Sequence, residues 1–206
     1  MTASEQETGR FRQRRRTRAT IVAAAAELLQ AGRTPSVADV AQVAEVSRRT
    51  VYLYFPTIEQ LLLDATLGLL SQSAVDKAIE AADTGGDVTE RVAAMIRALS
   101  SMSTETIALG RSLIRLTVAP TGDEDGPSPR RGYRRVAWIE RALEPLRPQL
   151  DEAAFERLVS ALAMVVGWEA LIVLQDLRGL TSDEQAETSL WAARALIRAA
   201  LDDRDP

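Results

Sequence analysis

Apolar residues recur at three- and four-residue spacing along nearly the whole of this 206-residue chain, and only eleven Gly and eight Pro interrupt the rhythm. That spacing lays a stripe along one face of a helix, so the pattern predicts an all-α fold. Start signals accompany it. Thr17 precedes ATIVAAAAELL, Ser36 stands with Asp39 and Asp87 with Glu90, while Thr57 with Gln60 and Thr181 with Glu184 have the spacing of full capping boxes. The expected helices cover 17–31, 37–44, 48–54, 57–82, 88–101, 104–118, 130–144, 151–178 and 182–202. The stretch APTGDEDGPSPRRG at 119–132 carries too much Pro, Gly and Asp for a helix and is expected to be a loop. No apolar run reaches the roughly 20 residues that a membrane span requires, and none follows the N-terminal arginines as a signal peptide would demand. The expected location is therefore the cytoplasm, with no membrane partner.

Composition narrows the chemistry. The chain has neither Cys nor His, which removes disulfides, thiolate metal sites, a cysteine nucleophile, and the commonest zinc ligand and general base. No metal, no cofactor and no catalytic residue are expected. An all-α enzyme working through carboxylates such as Glu140 and Glu169 is the weaker alternative, since no glycine-rich phosphate loop or ligand cluster accompanies them. A helical adaptor that binds another protein through its apolar C-terminal faces is the other.

Charge is unevenly placed. The net value of −4 hides nine Arg against six acids in residues 1–60, or +3, and sixteen bases against twenty-three acids in the remainder, or −7. Arg10, Arg12, Arg14, Arg15, Arg16 and Arg18 fall within nine residues, behind a polar, unpatterned MTASEQETG. The reading is a disordered basic arm over 1–13, which taken alone suits a solubility tail as well as a nucleic-acid contact.

Residues 36–55, SVADVAQVAEVSRRTVYLYF, place two short helices around a tight turn, a helix-turn-helix arrangement. Val37, Val40 and Ala41 face inward on the first helix, Val46 fills the turn, and Val51 with Phe55 anchors the second. Ser47 is the expected N-cap, so Arg48, Arg49 and Thr50 project from the first turn of a helix placed to enter the major groove. Arginine there forks onto guanine O6 and N7 or onto phosphate, and the hydroxyls of Tyr52 and Tyr54 are suited to phosphate oxygens. The competing view is a plain helical hairpin with a solvated basic face and core tyrosines.

TRATIVAAAAELLQAG followed by SVADVAQVAEVSRRTVYLYFPTIEQLLLDA resembles the N-terminal DNA-binding domain of the tetracycline-repressor (TetR) family of bacterial transcriptional regulators, over about residues 14–66. The resemblance implies a three-helix DNA-binding domain at 14–56, then an α-helical ligand-binding and dimerisation domain at 57–206, and a homodimer built from the last two long helices. By position it implies that Ser36 caps the second helix and meets phosphate, that Arg48, Arg49 and Thr50 face the bases, and that Tyr52 and Tyr54 reach the backbone. Two departures stand out. Glu45 occupies the turn where the family usually has Gly, which costs roughly 1–2 kcal/mol if the residue is left-handed, the alternative being a reshaped turn. Ile58 replaces a family Lys that contacts phosphate. Helix-terminal amides organised by Thr57, and the arginine arm with Arg14, Arg16, Thr17 and Arg18, are the expected substitutes for that charge.

Beyond residue 57, ALAMVVGWEALIVL is apolar around most of a helix and must be covered on more than one side. Leu158, Leu162, Glu169 and Ile172, with Leu190, Trp191, Ile197 and Leu201 from the last helix, form the expected dimer face. Met102, Leu109, Leu113, Trp138, Met164 and Trp168 are expected either as simple core or as the lining of a pocket for a small-molecule effector. Glu169 interrupts an apolar run and needs a partner: an arginine such as Arg141, within the chain or across a dimer, or a cationic ligand, with the internal pair preferred. Arg111 and Arg115 suit a solvated stripe better than an anionic effector. The whole describes a regulator, by family a repressor, released from a palindromic double-stranded DNA operator by an effector.

Overall fold

The computed structural model describes residues 3–85, 87–101, 104–118 and 133–203. The expected loop at 119–132 and Met102 lie outside the described residues. Among the described residues regular structure is helical: α1 (Ala3–Gln30), α2 (Val37–Val43), α3 (Arg48–Tyr54), α4 (Ile58–Ala81), α5 (Val88–Ser100), α6 (Thr104–Val118), α7 (Tyr133–Ala142), α8 (Glu152–Val165), α9 (Trp168–Arg178) and α10 (Ser182–Asp202). Two short 3-10 segments, Ala82–Gly85 and Glu144–Gln149, follow α4 and α7. No single helix among them is long and apolar enough to cross a membrane.

Three expectations change here. The arginine-rich segment expected as a disordered arm over 1–13 is helical from Ala3, as an extension of α1. Ala, Glu, Gln and Arg are all strong helix formers, and a helix already nucleated by its packed half extends through them at little cost. The helix expected at 130–144 ends at Ala142, because Pro145 and Pro148 force the tighter segment that follows. The single helix expected at 151–178 is two. Val166 is extended (φ −124°, ψ 132°) and Gly167 takes φ 110°, a conformation that a side chain resists. The guanidinium of Arg135 occupies the space that a Cβ at Gly167 would need, and its Nη1 donates to the Ala163 carbonyl at 3.0 Å, near the C-terminal end of α8.

The chain divides into two compact units, Met1–Leu70 with Ser112–Tyr133, and Ser71–Arg111 with Arg134–Pro206. One division between these units falls within α4, after Leu70. Packing explains its place. Leu61 and Ala65 on the first turns of α4 are buried in the core of the first unit, with Ile21, Val22, Ala25, Leu28, Val40, Val51 and Phe55. Val75 and Ile79 belong to the core of the second, with Met95, Ile96, Ile139, Leu143, Phe155, Leu162 and Ile197. In that second unit α10 packs on α5 and α8, and Asp87, Asp151 and Thr181 cap α5, α8 and α10.

Candidate nucleic-acid interface

Helix α2 starts at a reciprocal cap: the Ser36 hydroxyl accepts from the Asp39 amide (3.3 Å), while the Asp39 carboxylate accepts from the Ser36 amide (2.9 Å) and hydroxyl (2.6 Å). These bonds, the hydroxyl's first, hold the Asp39 carboxyl below its ordinary value. Arg33 adds a 2.9 Å ion pair to the same carboxylate. After α2 the chain reverses through Glu45 at φ 54°, and the Val46 amide donates back to the Ala41 carbonyl at 3.0 Å. Glu45 is the sole non-glycine residue with positive φ among those described, so the turn is left-handed without a glycine.

Helix α3 begins at Ser47, whose hydroxyl accepts from the Thr50 amide (3.0 Å) and lies 2.8 Å from the Thr50 hydroxyl. Val51 and Phe55 are buried and lock the helix to the core. At 100° per residue, Val51 fixes the inner side, with Thr50 and Tyr54 flanking it half-buried. Arg48, Tyr52, Arg49 and Leu53 then share the outer arc, and all four are exposed, Tyr52 at 53% and Leu53 at 56%. Neither Arg48 nor Arg49 pairs with a carboxylate among the described residues. An unshielded double positive charge on a short, rigidly anchored helix is suited to a polyanion.

Behind this face lies Arg18, and its expected DNA contact is corrected: its relative exposure is 0%. Its Nη2 pairs with Asp64 of α4 at 2.9 Å, its Nη1 donates to the Tyr54 carbonyl at 2.9 Å, and its guanidinium stacks 3.9 Å from the Phe55 ring centroid. One buried cation thus joins α1, the end of α3 and α4. A signal for this was present, since 18, 21, 22 and 25 follow the i, i+3, i+4, i+7 stripe of α1, whose other members are the core residues Ile21, Val22 and Ala25.

The remaining expected contacts are mixed. Arg16 is exposed, Arg14 is half-buried, and the half-buried Thr17 donates its hydroxyl to the Gln13 carbonyl at 3.2 Å. Ser36 and Ser47 are exposed with their hydroxyls engaged in caps. Thr57 accepts from the Gln60 amide at 3.2 Å, and Ile58, where the family Lys would stand, packs against the core. Leu53 was missed by sequence reasoning, although the same 100° arithmetic places it one turn beyond Arg49.

In the second unit the expected pocket residues scatter. Trp138 is buried and donates to Asp76 (3.2 Å), Trp168 packs against Gly110, Leu109 is half-buried, and Met164 is 73% exposed. Leu113 is buried within the first unit. An apolar groove of about 250 Å³ is instead lined by Met164, Val165, Glu169, Ala170, Val173, Leu174, Thr188, Ser189 and Ala192, of which sequence reasoning had only Met164 for a pocket. The dimer set is corrected in part: Leu158, Leu162 and Ile197 are core residues and have no outward surface to offer. Ile172, Leu190 and Leu201 are half-buried, while Trp191 is 74% exposed. Glu169 has its internal pair, with Arg135 in place of Arg141, which binds Asp76 (3.2 Å) and Glu80 (2.9 Å). Arg115 is exposed and Arg111 is solvent-accessible, as a solvated stripe requires, and Arg111 also grips Asp176 with bonds of 2.7 and 2.6 Å.

No curated protein matches the chain. Residues 21–65, which hold the capped helix-turn-helix, its outward arginines and the start of α4, match the family described as bacterial regulatory proteins, tetR family. Members of that family regulate transcription by binding DNA and are not enzymes. Residues 21–65 are accordingly the N-terminal domain of a TetR-family regulator, and through it this all-α chain is a DNA-binding transcriptional regulator.

Proposed function

We propose that the protein is a dimeric cytoplasmic repressor that leaves a palindromic operator when a small-molecule effector binds its second unit. The observation that carries the DNA half of this reading is the outer arc of α3, where Arg48, Arg49 and Tyr52 stand exposed on a helix fixed by Val51 and Phe55. Two such helices, one per protomer, read successive major grooves about 34–36 Å apart. Arg16 and the outward side of the α1 extension add phosphate contacts beside the groove.

Support for the dimer is a second exposed surface. Met164, Val173, Leu177 and Trp191 are at least half exposed and flank or line the groove between the α8–α9 segment and α10. A second copy covers this face and brings α9 and α10 of both protomers together about a twofold axis. Effector release requires only that the ligand bind more tightly to the form with weak operator affinity, and the coupling is reciprocal.

Sequencing the genomic fragments that the full-length protein retains tests the reading. Enrichment of one inverted repeat, with binding that weakens steeply as salt rises, is expected. Capture of no DNA and stable association with another protein would replace it with an adaptor. For the dimer, light scattering after gel filtration should give twice the chain mass, and Trp191→Glu should reduce it to one.

A further inference from the structure

We propose that Leu53 is a specificity-determining residue that reads the C5-methyl group of a thymine in each operator half-site. The inference rests on the DNA reading above and adds a base identity to it.

Leu53 is unlike the other apolar residues of its helix. Val51 and Phe55 on either side of it are 1% exposed, whereas Leu53 is 56% exposed and takes no part in the core that those two anchor. A single exposed leucine on a protein surface is ordinary. This one lies on the outer arc of a seven-residue helix, with Arg48, Arg49 and Tyr52 as its companions there. It is the one aliphatic side chain on that arc, four residues after Arg49 and so on the same row, about 6 Å further along the axis. The arginines commit the occupant of this face to a polyanion, because an apolar protein partner would have to bury both uncompensated cations.

The floor of the major groove is polar except at one point, the methyl group of thymine, which aliphatic side chains contact. When Arg49 forks onto a guanine, a side chain about 6 Å along the helix falls within one or two base pairs of it. The pair then reads a guanine and a nearby thymine together. Arg49 recognises O6 and N7, and Leu53 recognises a methyl that cytosine lacks.

The test uses the full-length protein and its retained operator, with each thymine of a half-site replaced in turn by deoxyuridine, which removes only the methyl. At one position wild-type affinity should fall about three- to fivefold, the value for losing one buried methyl, and 5-bromodeoxyuridine, whose bromine is methyl-sized, should restore it. The Leu53→Ala protein should be insensitive to deoxyuridine at that position alone, while responding as wild type does to changes at the guanine. If no thymine responds in the wild type, or if Leu53→Ala keeps the same sensitivity, the assignment is overturned while the regulator reading stands. Absence of any specific operator would overturn both.

Discussion

Arginine does opposite work in the two units. On α3, Arg48 and Arg49 face outward and pair with no carboxylate among the described residues. In the second unit Arg91 is held by Asp83 and by the Arg141 carbonyl, Arg111 by Asp176, Arg135 by Glu169 and the Ala163 carbonyl, and Arg141 by Asp76 and Glu80. A guanidinium already answered by a carboxylate adds little to the outward field, whereas an unanswered one attracts external anions. The uneven charge along the chain is therefore sharpened by pairing: these four arginines of the acidic unit are answered internally, whereas Arg48 and Arg49 of the basic unit meet no carboxylate among the described residues. Within the first unit Arg33 pairs with Asp39 at the surface, and Arg18 is the buried exception, consumed by Asp64 to hold the helix that carries the outward pair.

The sharpest way to break this division is at that exception. Asp64→Ala removes the carboxylate that pairs with the buried Arg18 cation, and should cost about 3–5 kcal/mol in urea-induced unfolding. Joint replacement with Arg18→Met and Asp64→Leu should recover most of the loss, whereas an Arg18 that acted by contacting DNA would leave stability unmoved. Next comes the outward pair. Arg49→Ala should weaken specific operator binding by about 1–3 kcal/mol in a titration at fixed salt, and Arg111→Ala, which removes an equal charge already paired with Asp176, should leave that affinity unchanged. Equal losses from the two would show that total charge, and not its placement, drives binding.

A smaller effect is expected in the turn. Glu45 sits at φ 54°, so Glu45→Gly should relieve strain and, after the greater freedom of unfolded glycine is subtracted, raise the midpoint of thermal unfolding by the equivalent of about 1 kcal/mol. The smallest concerns pH. Without His, stability should be flat from about pH 5.5 to 8. Asp39, Asp176 and Glu184 are held below their ordinary values, by the Ser36 hydroxyl, by the Arg111 hydrogen bonds and by the Thr181 amide respectively. A carboxylate depressed in the folded state contributes stability that is complete above its unfolded value of about 4 and is lost as pH falls through the folded one. Acid titration followed by circular dichroism should show loss beginning below about pH 4, and a transition near neutrality would contradict the pairing scheme.

Much of the first unit was legible because its signals are local. Caps at Ser36 and Ser47, the inward valines, and the outward Arg48 and Arg49 are set by neighbours within four residues, which periodicity and capping chemistry describe. Family resemblance singled out Glu45 but left a strained or a reshaped turn open, and the backbone decided for the left-handed one. The second unit was less legible because an apolar residue on a helix hydrophobic around most of its circumference has no marked side. Leu158, Leu162 and Ile197 read as an interface and are core, while Val173, inside the apolar run but assigned to no interface, and Leu177, which drew no notice, are exposed.

The sequence by itself determined an all-α fold with a capped helix-turn-helix, the outward Arg48 and Arg49 on its second helix, and a chain without histidine or cysteine. Tertiary structure alone decided which arginines are spent and which remain. Arg18 meets Asp64 across 46 residues, Arg111 meets Asp176 across 65, and Arg135 meets Glu169 across 34. It also decided that Gly167 breaks one long helix into two around a guanidinium. Periodicity reports which face a residue occupies on its own helix. The partner on that face is supplied by another helix, and only packing brings the two together.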